Sequence, residues 1–107
     1  MIRSVLYLTP KDGDAAAIVE FYRCHAVLEQ AAKQDGFVAA ELQIPTDRGG
    51  DVLVTALWRD AAAYEGWVAN PVRAAMVPDL AALVEGDFEA GVRGAVYEVA
   101  LTAGTAR

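Results

Sequence analysis

The side chains of this sequence that could do chemistry fall into two groups. His25, the single histidine of the chain, closes the aromatic segment 21–25. Trp58 and Trp67 flank a second group that also contains Tyr64. An imidazole can accept and return a proton near neutral pH, and indole and phenol groups can donate hydrogen bonds to an oxygen that gains charge. We therefore take His25 and Trp67 as candidate catalytic residues for proton transfer and oxyanion stabilisation.

Six further side chains are candidate substrate-binding residues. They are Tyr7, Tyr22, Trp58, Tyr64, Asn70 and Arg73. Each also has a purely structural interpretation: the aromatic rings as core, the asparagine as a helix cap, and the arginine as a solvated charge. The same holds for His25, as a buried structural histidine, and for Trp67.

Metal and phosphate chemistry are not indicated by the sequence. A protein metal site needs three or more converging ligands, and the chain has one histidine and one cysteine, Cys24, a quarter-turn of helix away from it. There is no phosphate-binding glycine loop, dinucleotide fingerprint or Ser-His-Asp set. We expect no metal and no bound cofactor.

Composition narrows the class of protein. At 107 residues the chain predicts one domain spanning 1–107, with an ordered core of about residues 2–101. A formal charge of −6 without a basic cluster disfavours nucleic-acid partners, and no apolar stretch approaches the ~20 residues of a membrane span. A lone cysteine and no recognisable signal peptide fit the cytoplasm.

Hydrophobic periodicity and turn residues predict the elements that position these side chains. Strands are predicted at Ile2–Thr9, Phe37–Ile44, Asp51–Trp58 and Gly94–Leu101. Helices are predicted from Asp14 to Asp35, over Ala61–Val68, and from Asn70 through Met76 to Val84 with a break or bend at Pro78. Glu85–Gly91 is expected to be a solvated polar loop. The order β-α-β-β-α-β predicts an α+β, ferredoxin-like sandwich.

Two patterns give the expected orientation of the first helix and of the sheet. Ile18, Phe21, His25, Leu28 and Ala32 recur at helical spacing, which predicts that His25 faces the sheet and a pocket, where Glu29 could orient the ring. The first, third and last strands are apolar on both faces. Helices can cover one face only, so a second copy of the chain is expected on the other, giving a homodimer.

The sequence also resembles a known family. The residues that carry the resemblance are Phe21-Tyr22-Arg23-Cys24-His25 and the run Leu57-Trp58-Arg59-Asp60 to Tyr64-Glu65-Gly66-Trp67. A strand that ends in tryptophan, an acidic helix cap and a second tryptophan before a capped helix resembles the antibiotic biosynthesis monooxygenase (ABM) domain. The resemblance covers roughly residues 2 to 101 and implies the dimeric α/β-barrel fold, in which two ferredoxin-like sheets pack face to face.

The resemblance implies an oxidoreductase. It points to a cofactor-independent monooxygenase that uses molecular oxygen on an electron-rich aromatic molecule such as an anthrone, a quinol or a polyketide. The haem-degrading branch is a lesser alternative, because the position of its ligating histidine is Val77 and the first strand has no asparagine. A second alternative is a non-catalytic dimeric barrel that binds a small hydrophobic ligand.

Overall fold

The fold is a four-stranded antiparallel sheet with helices against one face. The structure is a computed structural model that describes residues 1–86 and 92–104. The strands are β1 (Ile2–Leu8), β2 (Phe37–Gln43), β3 (Val52–Trp58) and β4 (Val92–Glu98). The helices are α1 (Ala15–Cys24), α2 (Val27–Ala31), α3 (Ala61–Val68) and α4 (Pro71–Ala81). The strand order β2-β3-β1-β4 is that of a ferredoxin-like sheet, so the predicted α+β class is confirmed.

The register of the central strands decides which side chains meet the helices. β1 pairs antiparallel with β3, so that Ser4 lies opposite Ala56 and Leu8 opposite Val52. Side chains alternate between faces along a strand, and Leu8 and Val52 are fully buried in the core with the helices. Ser4 therefore belongs to the helix-covered face, two residues along β1 from Leu6.

The long first helix predicted by the sequence is interrupted. Ala26 has a φ of 50° and a ψ of 44° in the left-handed region, which ends α1 at Cys24 and starts α2 at Val27. The break changes the helical phase: Ala31 is buried and Ala32 is exposed. The predicted stripe is therefore wrong at His25 and Ala32, which are exposed, whereas Leu28 packs against the core as predicted. His25 caps the C-terminus of α1.

The two later helices begin at the predicted caps. The Asp60 carboxylate accepts a hydrogen bond from the Ala63 amide at 2.9 Å, and the Asn70 side chain accepts one from the Val72 amide at 2.9 Å. The sequence predicts a break or a bend at Pro78; α4 is not broken there, because it continues through that residue to Ala81.

The β4 strand begins and ends earlier than the predicted Gly94–Leu101. It begins two residues earlier than Gly94 and ends at Glu98. The predicted loop Glu85–Gly91 falls largely on residues 87–91, which lie outside the described residues. In the described part of the chain, no helix is long and apolar enough to cross a membrane.

The face of the sheet opposite the helices is less apolar than predicted. Val5, Leu53 and Leu57 lie on it, as the register with the core-facing residues requires. The same alternation also puts polar residues there: Arg3, Glu41, Gln43, Thr55 and Arg93. This open face is therefore a mixed surface, with apolar side chains between charged and amide groups.

The core under the helices consists of two clusters. One contains Leu8, Ile18, Phe21, Tyr22, Val52, Leu80 and Val84. The other contains Ala31, Ala56, Trp58, Ala63 and Trp67. Members of both clusters line one cavity between the helices and the sheet, so the cavity divides the core.

Candidate active site

The cavity between the two core clusters has a volume of about 90 Å³ and is partly open to solvent. Its walls come from every helix and from strands β1, β2 and β3. Most of the lining is apolar. The side chains in it that carry a polar group are Ser4, Tyr22, Trp58, Tyr64, Trp67 and Arg73. Five of the eight residues predicted for the site thus line this cavity: Tyr22, Trp58, Tyr64, Trp67 and Arg73.

Trp58 is fully packed by its neighbours in the core. The residue is 1% exposed, and its ring meets the rings of Phe37 and Tyr64 edge-on, with centroid distances of 5.5 and 6.0 Å. Its indole Nε1 donates to the Ser4 hydroxyl oxygen at 3.0 Å. Because this donor is already paired, Trp58 can offer a ligand only the surface of its ring.

Trp67 differs from Trp58 in its hydrogen bonding. It lies in the last turn of α3, is 8% exposed and lines the same cavity. Within residues 1–86 and 92–104, the indole N–H has no protein acceptor. The nitrogen atom keeps some accessible surface, since Gln43 Oε1 is the buried unpaired side-chain atom of the described residues. The Trp67 N–H is therefore available to an oxygen atom of a bound ligand.

Tyr22 and Arg73 supply the strongest polar groups of the cavity. Tyr22 is buried on α1, and burial raises the pKa of its phenol to about 12, with the positive charge of Arg73 opposing the increase. Tyr22 is therefore protonated at neutral pH and can donate a hydrogen bond. Arg73 is half-buried on α4 and forms no ion pair with a carboxylate of the described residues.

His25 lies outside the cavity, which corrects the prediction that it faces the sheet. Its ring is exposed, stacks on Phe21 at a centroid distance of 4.2 Å, and places Nδ1 3.1 Å from the Phe21 carbonyl oxygen. His25 is the C-cap residue just beyond the last turn of α1, where it is exposed to solvent. Glu29, expected to orient the imidazole, is exposed as well.

Tyr7 is also absent from the cavity, because strand alternation turns it to the open face of the sheet. There Arg93 lies over its ring at 5.0 Å, and the side chain of Tyr97 hydrogen-bonds it and raises the pKa of its phenol. Arg93 in turn pairs with Asp51 at 2.6 Å. Tyr7 thus belongs to a network that joins the ends of three strands.

Asn70 likewise does not reach the cavity, since its side chain caps α4. Two residues that were not among the predicted site residues, Ser4 and Met76, do line the cavity. The alternation of β1 could have identified Ser4, which shares a face with Leu6 and Leu8. No comparable signal marks Met76, because its orientation depends on how α4 lies over the sheet.

Taken together, the polar groups of the cavity are hydrogen-bond donors and one cation. No histidine and no carboxylate lines it among the described residues. Nor do any three His, Cys, Asp or Glu side chains of the described residues lie close enough together to hold a metal ion. Such a site can bind and stabilise a negatively charged oxygen atom next to an apolar ring.

A family comparison agrees with this architecture. The sequence profile of the antibiotic biosynthesis monooxygenase family matches residues 1–79, about three quarters of the chain. The chain belongs to the antibiotic biosynthesis monooxygenase family. The matched region of this ABM chain ends within α4 and includes all the polar cavity residues. No curated protein sequence matches the chain.

Solved structures share the fold of this ABM chain along nearly its whole length. SnoaB, a cofactor-independent oxygenase from Streptomyces nogalater, is 22% identical with a TM-score of 0.75, and the match covers 94% of each chain. Rv0793 from Mycobacterium tuberculosis is 14% identical with a TM-score of 0.76, covering 96% of this chain and 98% of that one. A conserved protein from Methanosarcina mazei is 14% identical with a TM-score of 0.73, covering 90% and 89%.

The cavity residues do not fit a haem. Val77, at the position where the haem-degrading branch would carry its ligand, lines the cavity with an apolar side chain. An axial ligand that binds iron through nitrogen is absent from the described lining. The volume of about 90 Å³ is also far below that of a porphyrin.

Proposed function

We propose that this ABM protein is a cofactor-independent monooxygenase of a small, electron-rich aromatic substrate. The observation that carries the proposal is the cavity itself, in which the donors of Tyr22 and Trp67 and one arginine border an apolar space somewhat smaller than one aromatic ring. Family membership supports the reaction class, and SnoaB supplies a neighbour of the same fold that is named a cofactor-independent oxygenase.

The reaction needs only an ionised substrate and molecular oxygen. A phenolate is a good electron donor and can pass one electron to oxygen, giving a substrate radical and superoxide. The two recombine to form a carbon–oxygen bond as a peroxide, and loss of water from that peroxide leaves a carbonyl on the ring. A phenol with a free ortho or para C–H is thus oxidised to a quinone, and a quinol, whose ortho C–H is free, to a hydroxyquinone; one oxygen atom enters the product and the other leaves as water.

Cavity size selects among the substrates that the family suggests. An apolar protein cavity of roughly 150 Å³ admits one benzene molecule, and this cavity measures about 90 Å³. A quinol or another one-ring phenol requires small side-chain movements, for example of the flexible Met76. A three-ring anthrone requires the helices to move, so one-ring substrates are favoured.

An oxygen-uptake experiment with labelled oxygen tests the proposal. Purified protein is mixed with a panel of quinols, one-ring phenols and anthrones under ¹⁸O₂, and oxygen uptake is measured. The same measurement is made with Arg73→Met and with the control variant Arg48→Met, because Arg48 is exposed and lies outside the cavity. We expect one ¹⁸O atom per product molecule, loss of uptake in the first variant and retention in the second. Equal uptake with and without protein for every compound would contradict the oxygenase assignment.

The competing function is ligand binding without turnover. It is favoured by one specific observation, the lack of an imidazole or carboxylate among the described cavity residues. The two functions differ in the same experiment, because a binding protein would take up the one-ring compounds in equilibrium dialysis and consume no oxygen.

We further propose that two copies of the chain pack through the open face of the sheet. Tyr97 is 51% exposed on this face, and the Gln43 Oε1 atom is buried there without a hydrogen-bond partner among the described residues. A second copy would cover the Tyr97 ring, and rotation of the Gln43 amide would let its oxygen accept a donor from that copy. Sedimentation equilibrium at micromolar concentration should give a dimer, and Tyr97→Glu should give a monomer. A wild-type monomer would refute this arrangement.

We assign the protein to the cytoplasm. Cys24 is an exposed free thiol in the structure, and such thiols persist in reducing compartments. Fractionation of the source cells with an antibody to the chain tests this assignment.

A further inference from the structure

The charge state of the bound substrate can be inferred from the groups that surround the cavity. The titratable side chains that face it are Tyr22 on α1, Tyr64 on α3 and Arg73 on α4, whereas α2 and the strands contribute none among the described residues. A cation therefore faces the cavity without a fixed negative charge beside it. An unpaired buried or half-buried cation is unfavourable unless an anion joins it.

The neutral polar groups of the cavity, like the cation, favour a negatively charged ligand. The phenol of Tyr22 stays protonated because of its burial, and the indole N–H of Trp67 can only donate. The Ser4 oxygen already takes the hydrogen bond from Trp58, and the Tyr64 phenol, which also lines the cavity, can donate as well as accept. An oxyanion would satisfy these donors, whereas a protonated hydroxyl would compete with them as a further donor.

Among the described residues, no base is in position to produce that oxyanion. His25 is exposed on the far side of Phe21, and the carboxylate Glu29 is exposed at the surface of α2. We propose that the cavity binds its substrate as an oxyanion, with Arg73 as the counter-charge and Tyr22 and Trp67 as donors, and that the proton leaves to solvent. The substrate class is then a one-ring phenol or enol acidic enough to ionise once Arg73 stabilises its anion.

This inference rests on the proposed function for the identity of the site, and it makes a statement that does not depend on turnover. An opposite charge within about 4–6 Å lowers the pKa of an acid by roughly one to three. A phenol in this cavity should follow that rule. The phenolate should therefore bind at least about tenfold more tightly than the phenol.

A coloured probe that is too electron-poor to be oxidised measures this effect directly. 4-Nitrophenol changes its visible absorbance on ionisation, so the pKa of the bound probe can be read in a titration of wild-type protein from pH 5 to pH 9. We expect that pKa to fall by about one or more relative to the free probe. 4-Nitroanisole, which cannot ionise, should bind at least about tenfold more weakly at pH 8, with an affinity independent of pH.

Matched variants assign the effect to the proposed groups. Arg73→Met should abolish the decrease, Arg73→Lys should keep part of it, and Arg48→Met should leave it unchanged. Tyr22→Phe should weaken phenolate binding by about threefold. Far-UV circular dichroism and thermal melts on each variant identify any that fail to fold, and Arg73→Lys then carries the comparison.

Three results would overturn the inference. They are an unchanged or raised pKa of the bound probe, full retention of the decrease in folded Arg73→Met, and no saturable binding of 4-nitrophenol up to 10 mM. Because none of these requires oxygen consumption, the oxygenase proposal can fail while anion binding stands. Conversely, oxygen uptake without a lowered probe pKa would mean that a protein base removes the proton.

Discussion

The two tryptophans of the cavity provide a matched pair for a stability experiment. Both are nearly buried, with exposures of 1% for Trp58 and 8% for Trp67, and both line the same space. They differ in that only Trp58 donates to a protein acceptor, the Ser4 hydroxyl at 3.0 Å. Replacement of each by phenylalanine removes the same atoms and leaves the six-membered ring as core.

The expected difference follows from the hydrogen bond. Loss of buried ring atoms costs both variants similar free energy, whereas Trp58→Phe also loses a hydrogen bond of about 1 kcal/mol and leaves the Ser4 hydroxyl unpaired. We expect Trp58→Phe to be less stable than Trp67→Phe by about 1–2 kcal/mol. For a domain of this size that corresponds to a melting temperature lower by roughly 5–10 °C.

A double-mutant cycle separates the hydrogen bond from the packing of the ring. Urea denaturation followed by far-UV circular dichroism gives the free energy of unfolding for Ser4→Ala, Trp58→Phe and the double variant. The coupling between the two sites should be about 1 kcal/mol, whereas Ser4→Ala combined with Trp67→Phe should be additive within about 0.5 kcal/mol. Equal stabilities of the two tryptophan variants, or no coupling between Ser4 and Trp58, would refute the hydrogen-bond explanation.

Three further predictions concern local structure and pH. Gly36 has a φ of +85°, and a Cβ atom there would lie 2.5 Å from the Ala63 Cβ, so Gly36→Ala should lower the free energy of unfolding by about 1–3 kcal/mol in urea titrations. Tyr22, with a pKa raised from 10.0 to about 12, loses its proton later in the folded than in the unfolded chain. The stabilisation by the protonated Tyr22 is complete below pH 10 and is lost as the pH rises. The free energy of unfolding should therefore fall by about 2–3 kcal/mol between pH 10 and pH 12 in urea titrations, and Tyr22→Phe should lack this decline. Asp60→Ala removes the cap that accepts from the Ala63 amide and should cost about 1 kcal/mol in the same urea assay, whereas Asp60→Asn should cost little.

The elements and the pairing of the strands were largely predictable because their signals are local. Pro10, Asp60 and the pair Asn70-Pro71 mark ends of elements, and alternation in β1 and β3 identifies the buried face. The helix Ala61–Val68 has the predicted bounds. These features depend on backbone chemistry within a few residues, which a single sequence contains.

The errors arose where tertiary packing overrides local preference. Alanine is a strong helix former, and nothing in the sequence predicts a left-handed backbone at Ala26. That single residue ends the first helix and changes the phase of the helix that follows, and it leaves His25 as an exposed cap residue. At Pro78 the opposite occurs, since α4 contains a residue that normally interrupts a helix and continues beyond it to Ala81.

The positions of the candidate site residues were predictable where the strand or helix that carries them was predicted correctly. Trp67 and Arg73 follow well-capped helix starts, so their approximate positions were set by Asp60 and Asn70. Tyr7 was misplaced for another reason: an aromatic ring suits either face of a sheet, and the pairing of Arg93 with Asp51 on the open face is not visible in sequence.

The small residues of the cavity wall imply a compromise between stability and function. Ala31, Ala40 and Ala56 all line the space that divides the core. Larger apolar side chains at such positions would fill it, and filling a cavity commonly raises stability by about 0.5–2 kcal/mol. The chain thus keeps a cavity that larger side chains could fill. A variant such as Ala56→Val would be more stable towards unfolding and would lose space for a ligand.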